Sequence, residues 1–198
     1  MEFVPDRMYH FYNRGNDKVK IFYSRENYFY FLRKVKKHML PNCEILAYCL
    51  MTNHFHFLLN TKENLRDNFL NKAIGIILSS YSKAINKQEN RTGSLFQQHS
   101  DAIDLEQDSH KRITQDMSTN EYPFICFNYI HQNPYVAGIV KRMEDWEFSS
   151  FQDYCGDRNE TLCNKALARK LLDLPKDNNE FYKMSYEMID KDKLKKIF

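Results

Sequence analysis

The sequence predicts an α+β domain built on a ferredoxin-like antiparallel sheet. Three observations support this prediction: short aromatic runs typical of strands, long segments with apolar residues at three- and four-residue steps, and the order strand, helix, strand, strand, helix, strand. That order is the one of the ferredoxin-like split βαβ unit, in which two helices cover one face of the sheet. The other face is then left for a helix from later in the chain.

The first half of the unit is predicted as a strand, a helix and a hairpin. Residues Met8 to Arg14 alternate loosely and end at a turn cluster, which favours a strand. Apolar residues then recur at helical spacing from about Arg25 to Leu40, and Pro41 stops this helix. Two residues separate the β-compatible runs Glu44 to Met51 and His54 to Asn60, which predicts an antiparallel hairpin.

The second half is predicted as a long helix, a basic loop and a fourth strand. The helix covers about Leu65 to Gln88 with Asn64 as its cap, and the strand covers Ser94 to Leu105. A further helix is predicted from Glu121 to Asn133, where it ends because Pro134 follows. We expect this last helix to cover the open face of the sheet.

Length and composition limit how many domains the chain can form. Its 198 residues, with 42% hydrophobic content, suffice for one core domain plus an appendage. We predict a catalytic domain over residues 1–156 and a helical C-terminal appendage over 157–198. The appendage holds two short amphipathic patterns, Leu162 to Leu172 and Asn179 to Ile189. The sequence is compatible with a monomer or a homodimer.

Charge, hydropathy and cysteine content narrow the class of protein. A net charge of +3 permits a polyanionic partner without requiring one. No run approaches the roughly 18 apolar residues of a membrane span, and no signal peptide is visible, which predicts a cytoplasmic protein without a membrane partner. The cysteines are odd in number and form no C-x-x-C pair, which argues against disulfides and a thiolate metal site. They are Cys43, Cys49, Cys126, Cys155 and Cys163.

Two histidines on a predicted strand form the first candidate site. The two-residue period of a strand sends His54 and His56 to one face, and Phe55, Phe57 and Leu59 to the other. The histidines would stand about 7 Å apart at Cα, near enough to share one divalent ion. The alternative is a pair of half-buried histidines bonded to their neighbours. A third ligand is needed to favour the metal site.

The helix predicted over residues 121–133 offers that ligand. Tyr129 and Asn133 are four residues apart and lie one above the other at the edge of its apolar stripe. If the stripe docks this helix beside the histidine strand, Asn133 completes a His-His-Asn metal set and Tyr129 stands near the ion. Alternatively, Tyr129 is a boundary aromatic residue and Asn133 is a helix C-terminal residue suited to precede proline.

A tyrosine and a divalent ion together suit covalent phosphoryl transfer. Attack of a tyrosine on a DNA phosphodiester stores the bond as a phosphotyrosine and releases a sugar hydroxyl that can later reverse the step. Mg²⁺ or Mn²⁺ would bind the scissile phosphate oxygens and offset the developing charge. Since no water is activated, the same residues can both cleave the DNA strand and rejoin it.

Several motifs, in the same order along the chain, resemble those of one family. Residues 51–59, M-T-N-H-F-H-F-L-L, resemble the M-P-N-H-x-H-x-L-L signature of HUH single-strand DNA transposases, specifically of the REP-associated tyrosine transposases. YHFYNRG resembles the family's opening strand, and YSKAINKQENRTGSLFQ resembles its block of helix, loop and strand. YIHQNPYVAGIV resembles its Y-I-x-x-N-P block, and DWEFSSFQDYCG resembles the W-x-x-S-S segment that follows. The resemblance covers residues 8 to about 156.

The resemblance implies a transposase or endonuclease that cleaves and rejoins single-stranded DNA at hairpin or palindromic elements. It gives His54 and His56 the role of metal ligands and Asn133 that of a further ligand. It makes Tyr129 the nucleophile, which forms a 5′-phosphotyrosine. The chain departs from the family pattern at Thr52, in place of proline, and at Gln98-His99, in place of Gly-Arg. The second departure changes residues for which the family pattern implies DNA contacts near the fourth strand.

Candidate DNA contacts are exposed cations, because phosphate contacts dominate affinity for DNA. We include Arg14, Arg91, Lys36 and Lys37. Arg91 is favoured because loops reach single strands, whereas the basic run from Arg33 to Lys37 is usually a solvated helix face.

Other assignments compete with this interpretation. Tyr81 is a rival nucleophile, although its apolar spacing favours the core, and His99 is a rival ligand. A noncatalytic RRM-like module would instead stack bases on Tyr9, Phe11 or Tyr48. A metallohydrolase with a metal-activated water would leave no protein-DNA adduct.

Overall fold

A four-stranded antiparallel sheet forms the centre of the protein. The computed structural model describes residues 2–106, 121–158 and 162–187. The sheet order is β2-β3-β1-β4, which is the ferredoxin-like order predicted from the sequence. Its strands are β1 (Met8–Arg14), β2 (Cys43–Leu50), β3 (His54–Thr61) and β4 (Asp101–Asp104).

Helices cover both faces of this sheet. The first two lie on one face and pair with each other, and the third packs against β2 and β3 on the other face. The described helices are α1 (Arg25–His38), α2 (Phe69–Gln88), α3 (Glu121–Val136), α4 (Phe151–Cys155), α5 (Lys165–Leu171) and α6 (Asn178–Ser185). None of them combines the length and the apolar character that crossing a bilayer requires.

Strand alternation divides the apolar residues between two cores. On β3, Phe55, Phe57 and Leu59 face α1 and α2 and are fully buried in the first core, as predicted. Leu58 points the other way into a second core. That second core also receives Phe127 of α3, together with residues of α4, α5 and α6. The face of the sheet that carries the candidate histidines is therefore covered as well.

The second helix and the fourth strand are shorter than predicted. The helix begins at Phe69, not at Leu65, because Asn68 has a left-handed backbone with φ of 62° and interrupts helical geometry. Asn64 is therefore not its cap. The fourth strand has four residues rather than the predicted span from Ser94 to Leu105, of which Phe96 makes only an isolated bridge to Gly15.

The third helix runs three residues past its predicted end. We expected Pro134 to stop it at Asn133, but α3 continues to Val136 with Pro134 inside its last turn. A proline lacks one backbone N–H and so removes one helical bond, yet the turn is continued by Ala137, whose N–H donates to the Asn133 carbonyl at 3.0 Å.

The C-terminal segment packs against the sheet and α3. The backbone N–H of Asn164 donates to the Ile45 carbonyl of β2 at 2.8 Å. The side-chain amide of Gln132 on α3 donates to the Ser185 carbonyl at 2.8 Å. Phe181 of α6 is fully buried in the second core. The two predicted amphipathic patterns thus contain the helices α5 and α6, which share a core with the rest of the chain, and the end of the second pattern lies outside the described residues.

Candidate active site

Neighbouring strands β1 and β3 bring three histidines together. In the antiparallel register Tyr12 lies opposite His56, and Arg14 lies opposite His54. The two-residue period therefore points His10, Tyr12 and His56 toward α3. The ring centroid of His56 lies 5.0 Å from that of His54 and 5.1 Å from that of His10.

Helix α3 brings Tyr129 and Asn133 to the same place. The ring centroid of Tyr129 lies 5.5 Å from that of His56, with its plane nearly perpendicular to the imidazole. The Asn133 Nδ2 amide donates to the Tyr129 backbone carbonyl at 3.5 Å, and the side chain is close enough to shift the pKa of both the His54 imidazole and the Tyr129 phenol. The four residues that the sequence singled out thus lie together, although they come from segments about 75 residues apart.

Hydrogen bonds orient both predicted ligand imidazoles. His54 Nδ1 lies 2.7 Å from Asn53 Oδ1, and an amide oxygen accepts, so this nitrogen carries the proton and Nε2 keeps its lone pair. His56 Nδ1 lies 2.9 Å from His10 Nε2. The other nitrogen of His56, Nε2, is buried and has no hydrogen-bond partner among the described residues.

These donors fit a divalent cation. A buried nitrogen without a partner is costly unless something binds it, and imidazole nitrogens are ligands for Mn²⁺-like ions. His54 Nε2, His56 Nε2 and the Asn133 amide oxygen would form the set. In the described part of the chain, no group of three or more His, Cys, Asp or Glu side chains is arranged to hold a metal. A cation held by the two imidazoles would therefore need a third protein ligand of another type, such as the amide oxygen of Asn133.

Burial sets the protonation states of the site. It lowers the pKa of His54 to about 4, with a further contribution from Arg14, and the contact with Asn133 opposes this shift. Burial also lowers the pKa of His56 well below its usual value, helped by His10, His54 and Arg14. Both imidazoles are therefore neutral at pH 7, which is the form that binds a metal.

The phenol of Tyr129 is held in its protonated form. Burial raises its pKa, while the contact with Asn133 and the charge of Arg14 act to lower it. A nucleophilic role thus requires that the proton leave during the reaction.

The candidate DNA contacts fall in different places. Arg14 is exposed at the end of β1, opposite His54, and its charge lowers the pKa of both His54 and His56. Lys36 and Lys37 are exposed on α1, which lies on the far face of the sheet. Arg91 lies in the loop after α2 and is half-buried, with its backbone N–H donating to the Asn86 carbonyl at 2.9 Å.

The rival residues have other surroundings. Tyr81 is fully buried in the first core, and its hydroxyl donates to the Ile21 carbonyl at 2.7 Å, which makes it a packing residue. His99 is exposed. Tyr9, Phe11 and Tyr48, the proposed base-stacking platform, are each at most 2% exposed beneath α1 and α2. Bases cannot reach these three rings.

Two residues of the site were missed by sequence reasoning. His10 and Tyr12 share the face of His56, and the Tyr12 ring centroid lies 5.6 Å from that of His56. The alternation of β1 was a signal for them, because a strand that buries Tyr9 and Phe11 must turn His10 and Tyr12 the other way. Their meeting with His56 depends on strand register, which was not predicted.

Comparisons with known proteins identify the family. The family model described as "Transposase IS200 like" matches residues 3–115, a range that includes His54 and His56 but not Tyr129 or Asn133. A solved structure of a REP-associated tyrosine transposase bound to a REP hairpin is similar in fold, with a TM-score of 0.56, 19% sequence identity and 89% of each chain covered. A comparison with curated proteins found no match. Because the family model matches more than half of its 198 residues, the chain belongs to the IS200-like transposase family, as its motifs predicted.

Proposed function

We propose that the chain cleaves and rejoins single-stranded DNA in a metal-dependent reaction with Tyr129 as its nucleophile. One observation carries this proposal: the Tyr129 ring lies 5.5 Å from His56, an imidazole whose buried Nε2 has no hydrogen-bond partner in the described residues. A phenol beside an available metal-ligand nitrogen is the arrangement that tyrosine-based phosphoryl transfer requires.

His54, His56 and Asn133 would hold Mg²⁺ or Mn²⁺. When bound, such an ion offsets the charge that develops on the scissile phosphate and helps to orient it. The two neutral imidazoles and the amide bring no negative charge of their own to this ligand set. The phosphate oxygens of DNA would then supply the negative ligands, which couples metal binding to substrate binding.

Cleavage would proceed by attack of the Tyr129 hydroxyl oxygen on the phosphorus atom. A bond forms between this oxygen and phosphorus, and the bond from phosphorus to the 3′ oxygen breaks. The phenol loses its proton and the leaving 3′ oxygen gains one, so the products are a 5′-phosphotyrosine and a free 3′ hydroxyl. Attack by a 3′ hydroxyl on the phosphotyrosine reverses the step and rejoins the strand.

Arg14 would contact a phosphate next to the cleaved bond, since its exposed cation lies opposite His54. Lys36 and Lys37 would meet only DNA that wraps to the far face of the sheet, and Arg91 only DNA that follows the loop after α2. We propose hairpin DNA with an adjacent unpaired cleavage site as substrate. The REP hairpin bound by the structural neighbour supports this choice. A cytoplasmic location and a monomeric or homodimeric state belong to the same proposal.

The test uses a pool of DNA hairpins flanked by randomised single strands, labelled at either end, with Mn²⁺ or Mg²⁺. A 5′-phosphotyrosine keeps the 3′-labelled fragment on the protein under denaturing conditions and releases the 5′-labelled fragment with a 3′ hydroxyl. We expect Tyr129→Phe to form no adduct. Tyr12→Phe is the matched control, because its ring lies 5.6 Å from that of His56 and it should keep the adduct.

Other outcomes would point to other functions. Loss of the adduct in Tyr12→Phe, with an adduct in Tyr129→Phe, would transfer the nucleophile to Tyr12. Metal-dependent cleavage without any adduct would indicate a metallohydrolase. Binding without cleavage would leave a noncatalytic nucleic-acid-binding module, although the burial of Tyr9, Phe11 and Tyr48 argues against the RNA-recognition form of that function.

A further inference from the structure

A third imidazole, His10, supports His56 from the neighbouring strand. His10 is 1% exposed, and its ring is stacked on that of His56 with 19° between the planes. Its Nε2 lies 2.9 Å from His56 Nδ1, and the contact is buried. The Tyr129 ring centroid lies 6.3 Å from that of His10. His10 is thus part of the site but stands behind the predicted ligand.

The contact between His10 and His56 links the tautomers of the two rings. A neutral imidazole has one donor nitrogen and one acceptor nitrogen, so one ring must donate and the other must accept. If His56 Nδ1–H donates to His10 Nε2, then His56 Nε2 carries a lone pair. If His10 Nε2–H donates instead, then His56 Nε2 carries a proton and cannot bind a cation. Only the first arrangement is compatible with a metal ligand at His56 Nε2.

His54 has a comparable support from its own neighbour. Its Nδ1–H donates to Asn53 Oδ1 at 2.7 Å, which also leaves Nε2 with the lone pair. Metal-binding histidines usually donate their second N–H to an oxygen, which fixes tautomer and ring orientation. For His56 the corresponding acceptor is a nitrogen of His10 rather than an oxygen.

We propose that His10 is a positioning residue that accepts the Nδ1 proton of His56 and so turns the lone pair of His56 Nε2 toward the cation. This inference rests on the proposed function only because it concerns the same bound cation. It assigns no contact of His10 with DNA or with the cation. Because His10 is an uncharged acceptor, it supports His56 without adding negative charge to the site.

The test compares three variants of the full chain. His10→Gln can place an amide oxygen near the position of Nε2 and still accept the proton, whereas His10→Leu cannot accept it. His38→Gln removes an imidazole from α1, on the other face of the sheet, and serves as the control. Mn²⁺ binding is measured without DNA, by the loss of the free-ion EPR signal, and each variant is first checked for a cooperative thermal transition.

We expect His10→Leu to bind Mn²⁺ about 10–100-fold more weakly than the parent, which is the usual effect of losing such a support. His10→Gln should recover most of the affinity, and His38→Gln should keep the parent affinity. Equal affinity in the parent and His10→Leu would overturn the proposal. So would equal weakening in the Leu and Gln variants, because that result would indicate a packing role alone.

A second measurement needs no variant. Nitrogen-15 NMR of the parent with Mg²⁺ reports which nitrogen of His56 is protonated, and we expect Nδ1. Protonation at Nε2 would refute the inference even if every variant failed to fold. Neither readout involves Tyr129 or cleavage, so a failure of the proposed function, seen as a missing DNA adduct, is distinguishable from a failure of the role of His10.

Discussion

At the scale of single residues, Arg14 differs from the other candidate DNA contacts because it lies on the site. We expect Arg14→Gln to slow adduct formation about 10–100-fold, since a hydrogen bond to a charged group contributes about 1.5–3 kcal/mol. Lys36→Gln is the matched control, because Lys36 is exposed on the far face of the sheet. Rates of adduct formation are measured with labelled single-stranded DNA at a constant salt concentration. Equal slowing in both variants would indicate general electrostatic attraction and not a phosphate contact of Arg14.

Asn133 supplies the amide oxygen of the proposed ligand set. Asn133→Asp places a carboxylate beside the cation and should tighten Mn²⁺ binding at least about tenfold, because hard cations prefer charged oxygen ligands. The same charge should raise the pKa of Tyr129, on which Asn133 now acts in the opposite direction, and so slow cleavage. Asn133→Ala should weaken Mn²⁺ binding. EPR titration and single-turnover cleavage measure the two effects. If Asp and Ala variants bind Mn²⁺ alike, Asn133 is not a ligand.

At the scale of elements, a buried histidine attaches α3 to the segment that follows it. His131 is fully buried, its Nε2 lies 2.7 Å from Ser150 Oγ, and burial lowers its pKa to about 3 from 6.5. The unfolded chain therefore binds a proton below pH 6.5 that the folded chain excludes. Stability from this group is complete above pH 6.5 and is lost as the pH falls toward 3, by about 1.4 kcal/mol per pH unit.

The variant His131→Gln tests this pH dependence. A glutamine can still donate to Ser150 but does not titrate, so the free energy of unfolding should fall less steeply between pH 6 and 4, by about 1.4 kcal/mol per pH unit. Urea unfolding at several pH values gives both slopes. Parallel slopes in parent and variant would show that His131 does not contribute to acid sensitivity.

Local sequence patterns predicted most of the elements and the position of α3 on the open face of the sheet, but not the strand register. The strand Met8–Arg14 has the predicted bounds, and each end of the two hairpin strands lies within one residue of its predicted position. These bounds could be predicted because strand alternation and turn residues are local signals. The predicted end of α3 was wrong, because a proline in the last turn of a helix removes only one backbone hydrogen bond. His10 was missed because its meeting with His56 depends on the pairing of β1 with β3, and register follows from packing across the whole sheet.

At the scale of the whole molecule, contacts of the C-terminal segment cross the predicted boundary between residues 1–156 and 157–198. Asp153, with its side chain 1% exposed, pairs with Arg158 at 2.8 Å. Arg158 also donates to the Tyr48 hydroxyl and to the Ser149 carbonyl, and so connects the segment after α4 to the sheet. Phe181 and Leu172 lie in the second core, beneath the helix that carries Tyr129. The helix that carries Tyr129 therefore packs against residues from beyond position 156.

We expect a chain that ends at Gly156 to lose cooperative folding. Without Arg158, the buried Asp153 carboxylate loses its ion pair, which costs about 3–5 kcal/mol. Large core side chains such as Phe181 each contribute about 2–5 kcal/mol. Their sum is comparable with the whole stability of an ordinary domain, about 5–15 kcal/mol. A chain that ends at Glu187 keeps these contacts and should unfold like the parent, and Arg158→Met in the full chain isolates the ion pair. Urea unfolding followed by Trp146 fluorescence measures all three. If the chain ending at Gly156 unfolds cooperatively at the parent midpoint, the C-terminal helices are an independent appendage, and the position of Tyr129 does not depend on them.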